Sequence, residues 1–149
     1  MISMKLLLGL NLFSTLAMAG LIWFVQVVHY PMFRNVGESS FSDYIKLHQR
    51  LTTWVVAPLM LVEAFSAVGL LYWPPENIPA GWLWAGIGLV FVIWFSTAFL
   101  QVPRHGGMVE SGFSDKHHSA LVATNWIRTA AWTARGILTT FIVYCLIPE

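Results

Sequence analysis

The sequence predicts an all-α fold, a four-helix transmembrane bundle built from two parallel two-helix repeats. Composition is the first reason: of 149 residues 57% are apolar and only 10% charged, with mean hydropathy +0.67. Soluble domains carry about 25% charged residues, so the solvent of this chain is lipid. The second reason is four apolar runs, at 6–28, 51–73, 82–102 and 125–147. Each is about 20 residues, enough helix to cross about 30 Å of hydrocarbon. Alternating segments of about ten residues, which spanning strands would need, are absent. The third reason is an internal repeat. A shift of 72 residues lays Glu38-Ser39-Ser40-Phe41-Ser42-Asp43 on Glu110-Ser111-Gly112-Phe113-Ser114-Asp115, matching at five of six positions. It also pairs Pro31 with Pro103, Thr52 with Thr124, Trp54 with Trp126 and Tyr72 with Tyr144. With one residue of slippage, Ile22-Trp23-Phe24 falls on Ile93-Trp94-Phe95. Such self-similarity in a short chain points to duplication. The expected organisation is a single membrane domain over 1–149, with repeat one at 1–73 and repeat two at 74–149.

The first run follows Lys5 and contains Ala17-Met18-Ala19, which looks like a signal-peptide cleavage site. It continues to Val28, beyond the apolar core of a signal, and reads as a retained span. Pro31 and Pro103 mark expected exits of the first and third helices. Ser40 and Asp43 form a weak capping box, and 39–47 should extend the second helix above the membrane. Gly106-Gly107 reads as a helix stop. The single Cys145 permits no internal disulfide.

Four spans put both termini and the 74–81 loop on one side, face A. The segments 29–50 and 103–124 then lie on face B with Arg34, Lys46, Arg50, Arg104 and Lys116, against Lys5 alone on face A. The positive-inside rule places face B in the cytoplasm and both termini outside. Both copies enter the membrane in the same sense, so their relation is a pseudo-two-fold along the membrane normal. The expected location is a bacterial cytoplasmic membrane.

Polar residues gain meaning from depth. At about 1.5 Å per residue, Glu63 lies roughly 14 Å and Arg135 roughly 18 Å from face A, near the bilayer centre. An isolated charge there costs at least about 2.5–3.5 kcal/mol, so each needs a partner, and they are equivalent under the repeat. The pair either fixes helix register or acts catalytically, passing protons or contacting an anionic group. Asn125, Arg128, Trp132, Arg135 and Thr139 occupy offsets 0, 3, 7, 10 and 14 and so share a helix face. Asn125, Arg128 and Arg135 are thereby candidates to hold an anionic cofactor or substrate. Thr52, Leu59 and Glu63 share a face of the second span, while Asn11, Met18 and His29 align on the first with Gln26 one turn before His29.

All five histidines fall on face B. His29, His48 and His105 come from three different spans at similar height, and imidazole is a common ligand of zinc, copper and iron. Three convergent rings with an open position would make a catalytic metal site for Fe, Cu or Zn, or hold a haem edge. The same residues could instead exchange hydrogen bonds with Asn125, Gln101 and lipid headgroups. His117 and His118 are expected to be solvated in a loop. The tryptophans and methionines fit an interfacial belt and packing. No Gly-rich phosphate loop, GxSxG elbow or carboxylate pair is present, and a formal charge of +1 gives no field for nucleic acid.

Trp23-Phe24 followed by Pro31 and Phe33 resembles the first span of small bacterial membrane protoporphyrinogen oxidases that bind haem b, and of copper-resistance-type relatives. Near the start of that span the haem family has a histidine, whereas this chain has Asn11. His29-Tyr30-Pro31 through His48-x-Arg50 is also similar to anthrone-oxygenase-like small membrane proteins. The segment 125–136 resembles uncharacterised bacterial four-span proteins. The first of these resemblances implies haem b as cofactor, and the last implies a family without an assigned reaction. Two function classes result: a membrane oxidoreductase with His29, His48 and His105 as ligands and a small-molecule or quinone partner, or a non-enzymatic subunit or small-solute and proton conduit. Self-association into a homo-oligomer stays open.

Overall fold

A computed structural model describes residues 3–147, all helical apart from short connections. Four long helices follow in order: α1 Met4–Asn35, α2 Glu38–Tyr72, α3 Ala80–Ser111 and α4 Asp115–Cys145. Among the described residues, α1, α2 and α3 are long and apolar enough to cross a membrane. By that measure α4 is not among them, because Asn125, Arg128, Arg135 and several threonines dilute its hydropathy.

Packing fixes the directions. One apolar cluster joins Leu7 and Leu8 from the start of α1, Leu70 from the end of α2, Leu83 from the start of α3 and Ile142 from the end of α4. Consecutive helices are therefore antiparallel. The packed neighbours are α1 with α2, α2 with α3, α3 with α4 and α4 with α1, which leaves α2 and α4 facing each other across the bundle. The larger cluster occupies the other half, around Met18, Ile22, Phe33, Phe41, Ile93, Met108 and Trp132.

Two residue pairs related by the 72-residue shift touch. Glu63 meets Arg135, and the rings of Phe41 and Phe113 pack edge to face at 5.2 Å. A second structural echo lies in the helix winding. α1 widens into a π-helical turn at Val25–His29 and α3 does so at Thr97–Gln101, again 72 residues apart. The one-residue slip in sequence register, from Ile22-Trp23-Phe24 to Pro31, falls across these turns.

The π turns also correct the expectation that Pro31 and Pro103 end their helices. α1 continues through Pro31 to Asn35 and α3 through Pro103 to Ser111. Proline lacks an N–H and crowds the carbonyl four residues back, and a wide turn just before it relieves both problems. Gly106-Gly107 does not stop α3 either. That helix ends at Gly112, whose φ of 75° suits glycine. Gly107 serves packing instead, since a Cβ there would lie 3.1 Å from the His117 ring. α2 does begin above its apolar run, at Glu38, with Gly37 rather than Ser40 at its N-cap and no side-chain cap.

Candidate functional site

Polar side chains share the interior with the apolar clusters, while Phe13, Phe65, Phe91 and Ile137, one from each helix, are exposed on the outside. The interior groups form two layers. The deeper one is centred on Glu63 and Arg135, which are at most 2% exposed. Arg135 Nε donates to Glu63 Oε1 at 2.6 Å, and Thr15 Oγ1 donates to the same oxygen at 3.0 Å. Trp132 Nε1 donates to Oε2 at 3.0 Å. The rest of the guanidinium reaches the Gly86 carbonyl at 2.8 Å and Asn11 Oδ1 at 3.4 Å. Asn11 Nδ2 donates to Ser66 Oγ at 2.9 Å and to the Glu63 carbonyl at 3.2 Å. All four helices thus contribute to one saturated ion-pair network. Gly86 has no side chain because a Cβ would come within 3.0 Å of Arg135 Nη1.

The second layer lies toward the other end, next to the π turns. Asn125 Nδ2 donates to Gln26 Oε1 at 2.8 Å, and Gln26 Nε2 donates to the Val122 carbonyl at 3.2 Å. Arg128 Nη1 donates to Asn125 Oδ1 at 3.2 Å, and the guanidinium carbon lies 5.2 Å over the Trp132 ring. Arg128 also sits beside the Tyr30 hydroxyl. Among the described residues no carboxylate pairs with this buried cation.

His29, His48 and His105 meet in this layer. His29 Nε2 and His48 Nδ1 are 2.9 Å apart and share a hydrogen bond. The His48 and His105 rings stack with centroids 5.6 Å apart and planes 18° from parallel. His48 Nδ1 also lies 3.1 Å from Thr52 Oγ1, and His105 Nδ1 lies 3.0 Å from the Gln101 carbonyl. These contacts occupy one nitrogen of each ring. Among the described residues, no group of three or more His, Cys, Asp or Glu side chains is placed to hold a metal ion.

His48 and His105 border a cavity of about 440 Å³ between α2 and α3, and His29 lies outside its lining. Its polar wall includes Tyr30, His48, Thr52, Gln101, His105 and Arg128, and much of the remainder is apolar, including Ile22, Val56, Met60 and Trp94. That volume falls in the range of small-molecule sites. Exposed Thr53, Trp94 and Val102 mark its mouth on the outer face of the bundle. Neither Glu63 nor Arg135 lines it, so of Asn125, Arg128 and Arg135, the candidates to hold an anionic group, Arg128 alone reaches the cavity wall. The His48 ring also borders a groove of about 400 Å³ beside His29 and Tyr44.

Two sequence expectations need amending here. His118 is not solvated in a loop. It is 3% exposed near the start of α4, where Nε2 donates to the Tyr30 carbonyl at 2.8 Å and Nδ1 accepts from Arg34 Nε at 3.2 Å. It thereby anchors the residue whose ring faces His105 at 5.5 Å. Gln101, expected only as a partner for interfacial histidines, proves to be a buried wall residue, and its π turn sets its direction. The spacing that could have found His118 is the α4 stripe itself, which continues backward through Leu121 at steps of three and four.

No protein-family model matches this sequence, and no curated protein or solved structure matches it either.

Proposed function

We propose that this is an integral membrane protein that binds a small, membrane-soluble organic molecule in the cavity between α2 and α3, for redox chemistry at the histidine layer. The observation that carries the reading is a buried, unpaired Arg128 on the wall of an otherwise mostly apolar cavity bordered by His48 and His105. A buried cation without a counter-charge is costly unless something with negative or hydrogen-bond-accepting character comes to it. In this reading all four helices span. α4 is short of hydropathy because its polar residues face inward, while Trp126, Ile127, Ile137 and Phe141 present an apolar exterior. The contacts of Glu63 with Arg135 and of Phe41 with Phe113, at two heights, support two parallel repeats about an axis along the bundle. The saturated Glu63–Arg135 network is then the structural core that holds the four helices in register. The Lys and Arg excess on the 29–50 and 103–124 side orients that end, and the cavity with it, toward the cytoplasm.

A second reading follows from three imidazoles converging from three helices: His29, His48 and His105 as ligands to Fe, Cu or Zn, or to a haem edge. As arranged, the three rings do not form a group placed to hold a metal ion, so they would have to move to reach one. The test is one preparation from membranes, analysed for visible absorption, metal content and organic-extract mass. One organic molecule per protein without stoichiometric metal is the expected result. Stoichiometric Fe, Cu or Zn, or a haem band, would install the second reading. A preparation with neither would leave a non-enzymatic membrane subunit or conduit.

A further inference from the structure

Three residues that line the cavity each carry a buried polar atom with no hydrogen-bond partner among the described residues: Gln101 Oε1, His105 Nε2 and Arg128 Nε. Their residues are 2%, 7% and 6% exposed. Leaving such groups unsatisfied is costly, which makes them a template for whatever fills the space.

The hydrogen-bond polarity of each atom follows from its neighbours. Thr124 Oγ1 gives its single proton to the Ala120 carbonyl at 2.7 Å, so it accepts from Gln101 at 3.0 Å. That fixes the amide nitrogen of Gln101 on Thr124 and leaves the amide oxygen, an acceptor, unpartnered. His105 Nδ1 faces the Gln101 carbonyl, which can only accept, so Nδ1 carries the hydrogen. In the neutral ring Nε2 is then a bare acceptor. Arg128 Nε is a donor. The three unpartnered atoms are therefore two acceptors and one cationic donor.

The geometry points to a dihydroxylated aromatic ligand of the hydroquinone type. Its O–H groups would donate to Gln101 and His105, its oxygen would accept from Arg128, and its ring would lie against the apolar wall. The matching quinone has only acceptors and could satisfy Arg128 alone. A fatty-acid carboxylate pairs with Arg128 but offers no donor to Gln101 or His105. The mouth at Thr53, Trp94 and Val102 is on the outer surface of the bundle, so such a molecule enters from the lipid rather than from water. This inference rests on the reading of the cavity as an organic-ligand site and specifies the chemistry of that ligand.

Anaerobic calorimetric titration of the full-length protein in nanodiscs tests it with three probes: 1,4-naphthohydroquinone, 1,4-naphthoquinone and decanoate. The Ala57→Trp variant, in which an indole fills the cavity, reports partition into lipid. The hydroquinone is expected to bind roughly ten-fold or more tightly than the quinone, since two further hydrogen bonds at about 1 kcal/mol each separate them. Gln101→Leu should reduce that preference several-fold. If Gln101→Leu does not fold, Thr124→Val frees the Gln101 amide to flip and should weaken the preference in the same direction. Tighter or equal binding of naphthoquinone or decanoate overturns the inference while leaving an organic-ligand site in place. So does a preference that survives the variants unchanged. Binding of none of the probes above the Ala57→Trp background overturns the inference and the organic-ligand reading together.

Discussion

Replacing Glu63 by Gln removes the charge that Arg135 is built around. The carboxylate accepts from Arg135 at 2.6 Å, Thr15 at 3.0 Å and Trp132 at 3.0 Å, on side chains that are almost wholly inaccessible. A glutamine keeps one acceptor oxygen and turns the other position into a donor facing either the guanidinium or the indole N–H. Arg135 retains the Gly86 carbonyl and Asn11 but loses its counter-charge. Breaking one side of a buried pair costs about 3–5 kcal/mol, because the other charge stays behind. Arg135→Gln should cost a similar amount by stranding the carboxylate. In Glu63→Gln with Arg135→Gln no charge is stranded, and the double variant should lose less than the sum of the two and no more than the worse single. Equilibrium unfolding in mixed detergent micelles, with tryptophan fluorescence as readout, measures the cycle. Additive losses would refute the reasoning, because they would mean that the two side chains do not depend on each other.

Other expectations follow from single contacts. Gly86→Ala should destabilise by about 1–3 kcal/mol, since its Cβ would come 3.0 Å from Arg135 Nη1, and the loss should shrink in Arg135→Gln when measured by the same unfolding assay. His118→Ala removes the donor to the Tyr30 carbonyl and the acceptor for Arg34, so about 1–3 kcal/mol of stability should go with it; a loss below about 0.5 kcal/mol would deny His118 its anchoring role. In a background with Cys145 replaced by Ser, cysteines at Asn77 and Lys116 should react with an impermeant maleimide from opposite sides of the membrane, Asn77 from outside. Labelling of both from one side would break the four-span topology.

The bundle was legible in the sequence because apolar length and the repeat are one-dimensional signals. Glu63 and Arg135 were legible as partners because a charge at mid-depth has few ways to be tolerated, and depth is counted along the chain. The donors around them were not. Thr15, Trp132 and the Gly86 carbonyl are chosen by how each helix is rotated about its own axis, which apolar periodicity fixes only coarsely. The π turns compound this, because each inserts a residue into the winding and changes the face of everything after it. His105 and Gln101 follow such a turn or lie in it, so their approach to Arg128 could not be obtained from a regular 100° wheel. Reading Gly106-Gly107 as a stop truncated α3 in the same way, and treating the following segment as loop hid His118. The convergence of His29, His48 and His105 rested on height alone. Their hydrogen bonds, which set what they can bind, needed side-chain directions.

Native mass spectrometry of the protein released from nanodiscs made of its own membrane, compared with Ala57→Trp and Ile137→Trp, tests the central claim most directly. Ala57 lines the cavity, and Ile137 is on the outer face, 68% exposed. The account predicts one small organic adduct on the unmodified protein, lost in Ala57→Trp and kept in Ile137→Trp. An unmodified protein without an adduct, or an adduct that survives filling of the cavity, would contradict it.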